Sequence, residues 1–351
     1  MKIFQRVLQK GFLGFDFPEY EHMGEGAMRL FLQRNCRYPS HYFKGGNAPS
    51  LIHPQLVFGR NLFSDQLLNY YRYGLERNDM FLPFLAGYMK EPNPDPSKKG
   101  GKFIYRLVYQ DFAVDVIHKQ QSGITGAGKT SAIYADLFSL MWLNLPKWLK
   151  VSVFATKGFG FFRDVCNVHV SIPEIREGAK KLIERLHERM EVLNNSSGGS
   201  RHDVQLYNEH NPNKLLRYEV IIFDEFSNIL RALEPYEQKQ FEQEIASIAS
   251  QGRSLGMHMV AMPQRPDVKG LPSSIKSQLP TSTTFRLKSM YDAKTADCEE
   301  AVTLKRGEAI LDSLAGRGKL QMLHMPKNYP PFFVERIRKT MAVNGYAEAF
   351  K

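Results

Sequence analysis

The sequence predicts an α/β protein, with a mostly parallel central sheet flanked by helices. Three observations predict it. A glycine-rich loop, Gly123-Ile124-Thr125-Gly126-Ala127-Gly128-Lys129-Thr130, opens onto a strongly apolar stretch. Short apolar runs then alternate with longer stretches of helical period, the pattern of βα units. One of those runs, Val220–Phe223, closes with Asp224-Glu225. An acidic pair there sits at the carboxyl end of a strand, where open α/β sheets hold their ligands.

The 351 residues suit one large domain, or one domain with a smaller companion. Hydrophobic residues make up 43% of the chain, enough for a substantial core, which excludes a disordered protein. Lysine and arginine outnumber aspartate and glutamate by 47 to 36, a net charge of +11. That excess favours a polyanionic partner, nucleic acid or an anionic membrane surface, over the blander reading of general solubility. Cys36, Cys166 and Cys298 have neither disulfide nor metal-ligand spacing, which fits a reducing cytoplasm. The most apolar windows, around Met80–Met89 and Val220–Phe223, fall short of the ~20 residues of a membrane span. The first residues lack the apolar run of a signal peptide.

Taken in order, residues 1–91 are rich in aromatics and carry no motif with a mechanism. Tyr70–Arg77 and Asp79–Met89 are compatible with helices, and Pro39–Pro54 reads as loop. Glu91–Lys102 holds three prolines and two glycines and marks a linker. It divides an N-terminal accessory region, 1–97, from a main domain, 98–351. Phe103–Tyr109 alternates as a strand does. Val116–Gln121, just before the loop, is more polar than a central parallel strand should be. Ser131–Leu145 is apolar all round and is stopped by Pro146, as suits a buried helix. Lys150–Thr156 reads as a strand, and Ile172–Asn194 as an amphipathic helix with Leu182, Ile183, Leu186, Met190 and Leu193 on one face. A polar loop, Asn194–Ser200, follows. Glu219–Phe226 and Met257–Met262 read as buried strands on either side of a helix at Pro235–Gln251. There is no internal repeat.

The loop fills every fixed position of the pattern G-x-x-x-x-G-K-[ST]. Glycines let backbone N–H groups close on phosphate oxygens, where a β-carbon would intrude. The cradle is Gly123 to Lys129 with Thr130 and Ser131, and the helix after it aims its positive end at the anion. Lys129 reaches the β- and γ-phosphates, and the Thr130 hydroxyl can hold Mg²⁺. Asp224 joins the metal shell, mostly through water. Glu225 polarises the water that attacks the γ-phosphate. The two motifs together, in this order, point to hydrolysis of ATP or GTP. Gln264, after the Met257–Met262 strand, lies near the γ-phosphate, or is a polar loop residue. Arg253, in a tight turn at a helix end, can enter a neighbouring subunit's site, or simply complement the helix dipole.

With these residues in place, the chain resembles FtsK/SpoIIIE-type DNA translocases of the HerA–FtsK superfamily. The resemblance runs along most of 115–334. Gly123–Thr130 is similar to that family's Gly-Thr-Thr-Gly-Ser-Gly-Lys-Ser loop, and Val220–Phe226 to its Asp-Glu-Phe strand. Gly252–Pro266 is similar to its Ala-Arg-Ala-Ala-Gly-Ile-His-Leu-Val-Leu-Ala-Thr-Gln-Arg-Pro. Ile275–Thr281, Phe285–Ser289 and Leu314–Leu320 follow in family order. The resemblance implies a RecA-like ATPase that assembles as a ring, a hexamer, around double-stranded DNA. It implies Lys129, Thr130, Asp224, Glu225 and Gln264 at the nucleotide, with Arg253 acting in trans. It implies pore loops at Asn194–Asp203 and Pro266–Lys276, where Arg201, Lys269, Ser273, Ser274 and Lys276 suit phosphate contacts without base readout.

The chain departs from the family in carrying Ala155-Thr156-Lys157 where Asp-Pro-Lys is usual. The expectation is of a motor without the family's membrane helices or its winged-helix module. In this it is similar to the coupling ATPases of conjugative elements. That implies a cytoplasmic protein, peripheral at the membrane through a relaxase or secretion-channel partner. The alternatives are a HerA-like helicase or viral packaging ATPase, and a nucleotide-gated DNA-binding scaffold that does not translocate.

Overall fold

The computed structural model describes residues 82–92, 103–144, 146–196, 203–264, 270–313, 316–322, 330–343, 345–346 and 348–351. In chain order the strands and helices are β1 (Pro83–Pro92), β2 (Phe103–Asp111), β3 (Lys119–Ser122), α1 (Lys129–Leu143), β4 (Leu149–Phe154), β5 (Asn167–His169), α2 (Ile172–Asn195) and α3 (Val204–His210). Then come β6 (Tyr218–Asp224), α4 (Phe226–Ala232), α5 (Pro235–Gln251), β7 (Met257–Met262), α6 (Ser273–Lys276), β8 (Thr281–Phe285), α7 (Met290–Thr295), β9 (Glu308–Ser313), β10 (Gly316–Gln321) and α8 (Pro330–Val343).

The ten strands of the described residues form one sheet, in the order β2-β1-β10-β9-β8-β3-β7-β6-β4-β5. The six strands from β8 to β5 are mutually parallel, and the four on the other side join antiparallel. The parallel strands β6 and β7 are buried at every residue, as strands covered on both faces must be. α2 lays Leu182, Leu186 and Leu193 into the core, with Ile183 and Met190 half-buried beside them. Its start is a capping box, in which Ser171 accepts from Glu174 N–H and the Glu174 carboxylate reaches back to Ser171 N–H.

Two sequence expectations change. Over the described residues the helix expected at Asp79–Met89 is instead a strand, Pro83–Pro92. Leu82, Phe84 and Ala86 are buried in steps of two, and Pro83 would interrupt a helix. Because β1 pairs with both β2 and β10, it belongs to the central sheet, and its last two residues lie inside the Glu91–Lys102 segment. Residues 93–102, and with them most of that segment, lie outside the described residues, as do Tyr70–Arg77, Pro39–Pro54 and Cys36.

The second change concerns the polar stretch before the loop. Lys119-Gln120-Gln121-Ser122 is the central strand, with every residue buried. Burying lysine in a sheet costs heavily unless it is paired. Lys119 Nζ meets Asp136 Oδ2 on α1 at 3.1 Å and lies over the Phe84 ring at 5.0 Å. Gln121 Nε2 donates to the Lys129 carbonyl at 3.0 Å. The strand's polar residues thus tie it to the helix that follows the loop. At the strand's other end His118 Nδ1 accepts from Met259 N–H at 3.0 Å, and the His258 ring bonds Ile117 O at 2.8 Å. This reciprocal clasp sets β3 against β7.

Candidate nucleotide site

The phosphate loop leaves β3 between two fixed walls. Gly123, at φ 149°, faces Phe285 so closely that a β-carbon would stand 2.6 Å from Phe285 Cβ. Ile124 N–H donates to Arg286 O at 3.0 Å, and Gly307 N–H to Ala127 O at 2.8 Å. The end of β8 and the turn before β9 therefore grip the loop. Gly126 (φ 80°) meets nothing within 4 Å, and Gly128 (φ 118°) is the residue before α1. Thr125, Gly126 and Thr130 are exposed and Ser131 half-exposed, so the loop presents an open face. No acidic residue occupies the first turn of α1, which leaves its positive end for an anion.

Lys129 is buried, and its amine donates to Gly123 O at 2.5 Å and Pro263 O at 3.1 Å, both carbonyls. Burial lowers its pKa to about 8, against the pull of Asp224 and Glu225. Asp224 ends β6 at 6% exposure. Burial, and then the neighbouring charge of Glu225, raise its pKa to about 6, while Lys129 pulls it down. Lysine, aspartate and loop share one edge of the sheet, where β3, β6 and β7 all end.

Glu225 follows in the left-handed region, φ 48° and ψ 55°. It stays beside β7 through its N–H to Met262 O at 3.1 Å. Its carboxylate accepts from Gln264 Nε2 at 2.8 Å and from Asn228 Nδ2, and Lys157 Nζ stands 3.4 Å away. Gln264 is thus brought to the acidic pair. Asn228 and Tyr134 are additions that the sequence did not suggest. Asn228 stands three residues beyond Glu225, within the first turn of α4, the only hint available. Tyr134, on α1, donates to Gly158 O at 2.5 Å, and burial and Asp224 push its hydroxyl up to about 12. It links the loop helix to the segment carrying Lys157.

The other candidates stand elsewhere. Arg253 precedes β7, whose six residues put it roughly 20 Å from the loop edge. It is exposed and cannot serve the site of its own subunit. Ser273 and Ser274 are exposed at the start of α6, and Lys276 Nζ donates to Thr295 O at 2.8 Å. Arg201 and Lys269 lie outside the described residues.

The residues fit a nucleotide with its magnesium. Glycines hold positive φ around a cradle, and a buried ammonium contacts only carbonyls there. Among the described residues no cluster of three or more His, Cys, Asp or Glu could hold a metal by itself. A Mg²⁺ carried on phosphate needs no such cluster, only one or two protein oxygens. Thr130 and Asp224 would supply these, and the ion would neutralise phosphate charge. Among the described residues no helix is long and apolar enough to cross a membrane.

No protein-family model matches the chain. It is 28% identical over 218 residues to DNA translocase FtsK of Helicobacter pylori (strain ATCC 700392 / 26695), covering 60% of this chain and 25% of that protein. It is 29% identical over 188 residues to DNA translocase SftA of Bacillus subtilis (strain 168), covering 51% of this chain and 19% of that protein. The chain thus spans a quarter or less of the length of these two relatives. Among solved structures it is similar to the pCW3 conjugation coupling protein TcpA, with TM-score 0.57, 17% identity, and 72% and 71% of the two chains covered. It is likewise similar to the cytoplasmic domain of the Type VII secretion ATPase EccC of Thermomonospora curvata, with TM-score 0.57, 20% identity, and 74% and 31% covered. The fold is that of a P-loop NTPase.

Proposed function

We propose that this chain is an ATP-hydrolysing motor that moves double-stranded DNA. One observation carries the reading: the phosphate loop with Lys129, the Asp224-Glu225 pair and Gln264 converge at the carboxyl ends of β3, β6 and β7. The relatives named DNA translocase, and the net charge of +11, support a polyanionic track. In this reading Lys129 and the loop amides hold ATP, Thr130 and Asp224 serve its Mg²⁺, Glu225 is the general base and Gln264 senses the γ-phosphate. Arg253 completes a neighbour's site in a ring, a hexamer. Arg201, Lys269, Ser273, Ser274 and Lys276 face the DNA phosphates.

The test is the ATPase rate with and without duplex DNA, for the wild type and for Glu225→Gln. Stimulation that vanishes in the variant supports the motor. An unstimulated rate at every salt concentration favours a nucleotide-gated scaffold.

The finer assignment within this reading is a transfer motor of a conjugative element, cytoplasmic and brought to the membrane by a relaxase or channel protein. Its domain would span 98–351, joined by β1, with the residues before that strand serving docking or ring stability. Deleting the gene from donor cells should abolish transfer of the element. Transfer at the normal frequency would leave packaging or plasmid maintenance as the motor's task.

A further inference from the structure

The turn carrying Arg253 is held by two helices that are distant in sequence. Arg253-Ser254-Leu255-Gly256 joins α5 to β7. Val204, the first residue of α3, donates its N–H to Ser254 O at 2.9 Å. Arg189, buried on α2, donates Nη1 to Leu255 O at 2.6 Å and Nη2 to Arg217 O at 2.5 Å. Gly256, at φ 66°, is where the three meet: a β-carbon there would lie 3.3 Å from Tyr218 Cδ1 and Val204 Cγ1, and 3.4 Å from Arg189 Nη1. At the turn's other end a β-carbon on Gly252 would stand 2.4 Å from the carbonyl oxygens of Ile248 and Met257. Both ends of the turn are thus packed, and two successive carbonyls are held by α2 and α3.

We propose that Arg189 and the Val204 N–H are positioning groups for Arg253, fixing where its guanidinium meets a neighbouring subunit. They carry to it any displacement of the chain that enters α3. The inference rests on the motor reading above. Arg201, assigned there to DNA phosphate, is three residues ahead of Val204 in sequence. A charge that stabilises a transition state is sensitive to placement, and a 1 Å error costs about 10²-fold. Two donors from separate helices on adjacent carbonyls give that placement. They also give DNA contact a short covalent route to turnover.

Val204→Pro tests the Val204 bond, with Val204→Ala as the control for the buried side chain that packs beside Gly256. Proline is tolerated at the first position of a helix, whose N–H has no partner within the helix. Asp203 is already extended (φ −161°, ψ 168°), as the residue before proline must be. Val204→Pro therefore removes the bond to Ser254 and leaves α3 in place. DNA-stimulated kcat should fall about fivefold, the worth of one such hydrogen bond. KM for ATP and affinity for a non-hydrolysable ATP analogue should not change. In an Arg253→Ala background Val204→Pro should cost nothing further, because both act through one group. Arg189→Met, which removes the second grip, should show the same non-additivity. Wild-type turnover in Val204→Pro, or an equal fall with and without Arg253, overturns the inference and leaves the motor standing. An Arg253→Ala variant with full turnover overturns the inference and the role given to Arg253 and again leaves the motor, whereas a wild type whose hydrolysis ignores duplex DNA overturns both.

Discussion

Gln264 donates its side-chain amide to Glu225 Oε1 at 2.8 Å, joining the ends of β7 and β6 across the site. The same carboxylate also receives Asn228 and faces Lys157, so donors from three segments fix one acid. A carboxylate held in this way has a defined direction, and if it is the base proposed above its neighbours share in turnover.

Gln264→Ala should therefore act on turnover rather than on binding. Hydrogen bonds to a charged group are worth about 1.5–3 kcal/mol, so kcat should drop about tenfold or more. Affinity for an ATP analogue, read by equilibrium titration, should be kept, since Lys129 and the loop amides are untouched. A raised KM with an unchanged kcat would place Gln264 among ground-state contacts instead.

The loop glycines differ in what they need. Gly123 combines φ 149° with a wall 2.6 Å from where a β-carbon would stand, whereas Gly126 has φ 80° and open space around it. Gly123→Ala should cost about 3 kcal/mol, from overpacking against Phe285 and from backbone strain. Gly126→Ala should cost only about 1 kcal/mol, yet weaken nucleotide binding, because its methyl group enters the cradle. Urea midpoints and nucleotide titrations separate the two effects. Equal destabilisation by both substitutions would contradict the packing at Phe285.

Much of this site was legible in the sequence because its signals are local. The loop's glycines and lysine, and the acids after Val220–Phe223, each specify geometry within a few residues. Where the decisive contact is remote, the sequence misleads. Lys119 looks out of place in a strand until Asp136, 17 residues on, is seen to pair with it. Nothing local marks Arg189 as buried, because its partner Leu255 is 66 residues away. The stretch 79–89 has a composition that either a helix or a strand accepts. Only pairing with β2 and β10 decides for strand. Gly316–Gln321 has just Leu320 fully buried, so β10 too owes its existence to its neighbours.

The Lys119–Asp136 pair yields a prediction with two arms. Burial raises the Asp136 pKa, against the pull of Lys119. Removing one partner leaves the other charge buried and uncompensated, so Lys119→Met alone should cost about 3–5 kcal/mol in denaturant unfolding. Lys119→Met with Asp136→Leu should recover most of that loss, since apolar residues of similar volume replace buried pairs with little penalty. If the double variant is as unstable as the single, the pair is needed to seat α1 on β3 rather than merely to neutralise charge.

The histidine clasp predicts how the fold responds to acid. Burial holds the pKa of His118 down at about 4 and that of His258 at about 3, each further lowered by a neighbouring cation or ring. In the unfolded chain both titrate near 6.5. Below that value the unfolded state takes up protons that the folded state refuses, so stability falls as pH drops from about 6.5 toward 4. The loss is at most about 1.4 kcal/mol per pH unit for each ring, or about 2–3 kcal/mol for both between pH 7.5 and 5.5. Asp224 opposes it below about 6, because its raised pKa makes the folded state the better proton acceptor there. Comparison with His118→Asn/His258→Asn isolates the two rings, since an asparagine amide can supply either the donor or the acceptor that the clasp requires. Denaturant midpoints at the two pH values should show the wild type losing about 2–3 kcal/mol more than the variant. Parallel losses in the two proteins would mean that the rings gain protons inside the folded sheet and that β3 and β7 are not pinned by neutral imidazoles.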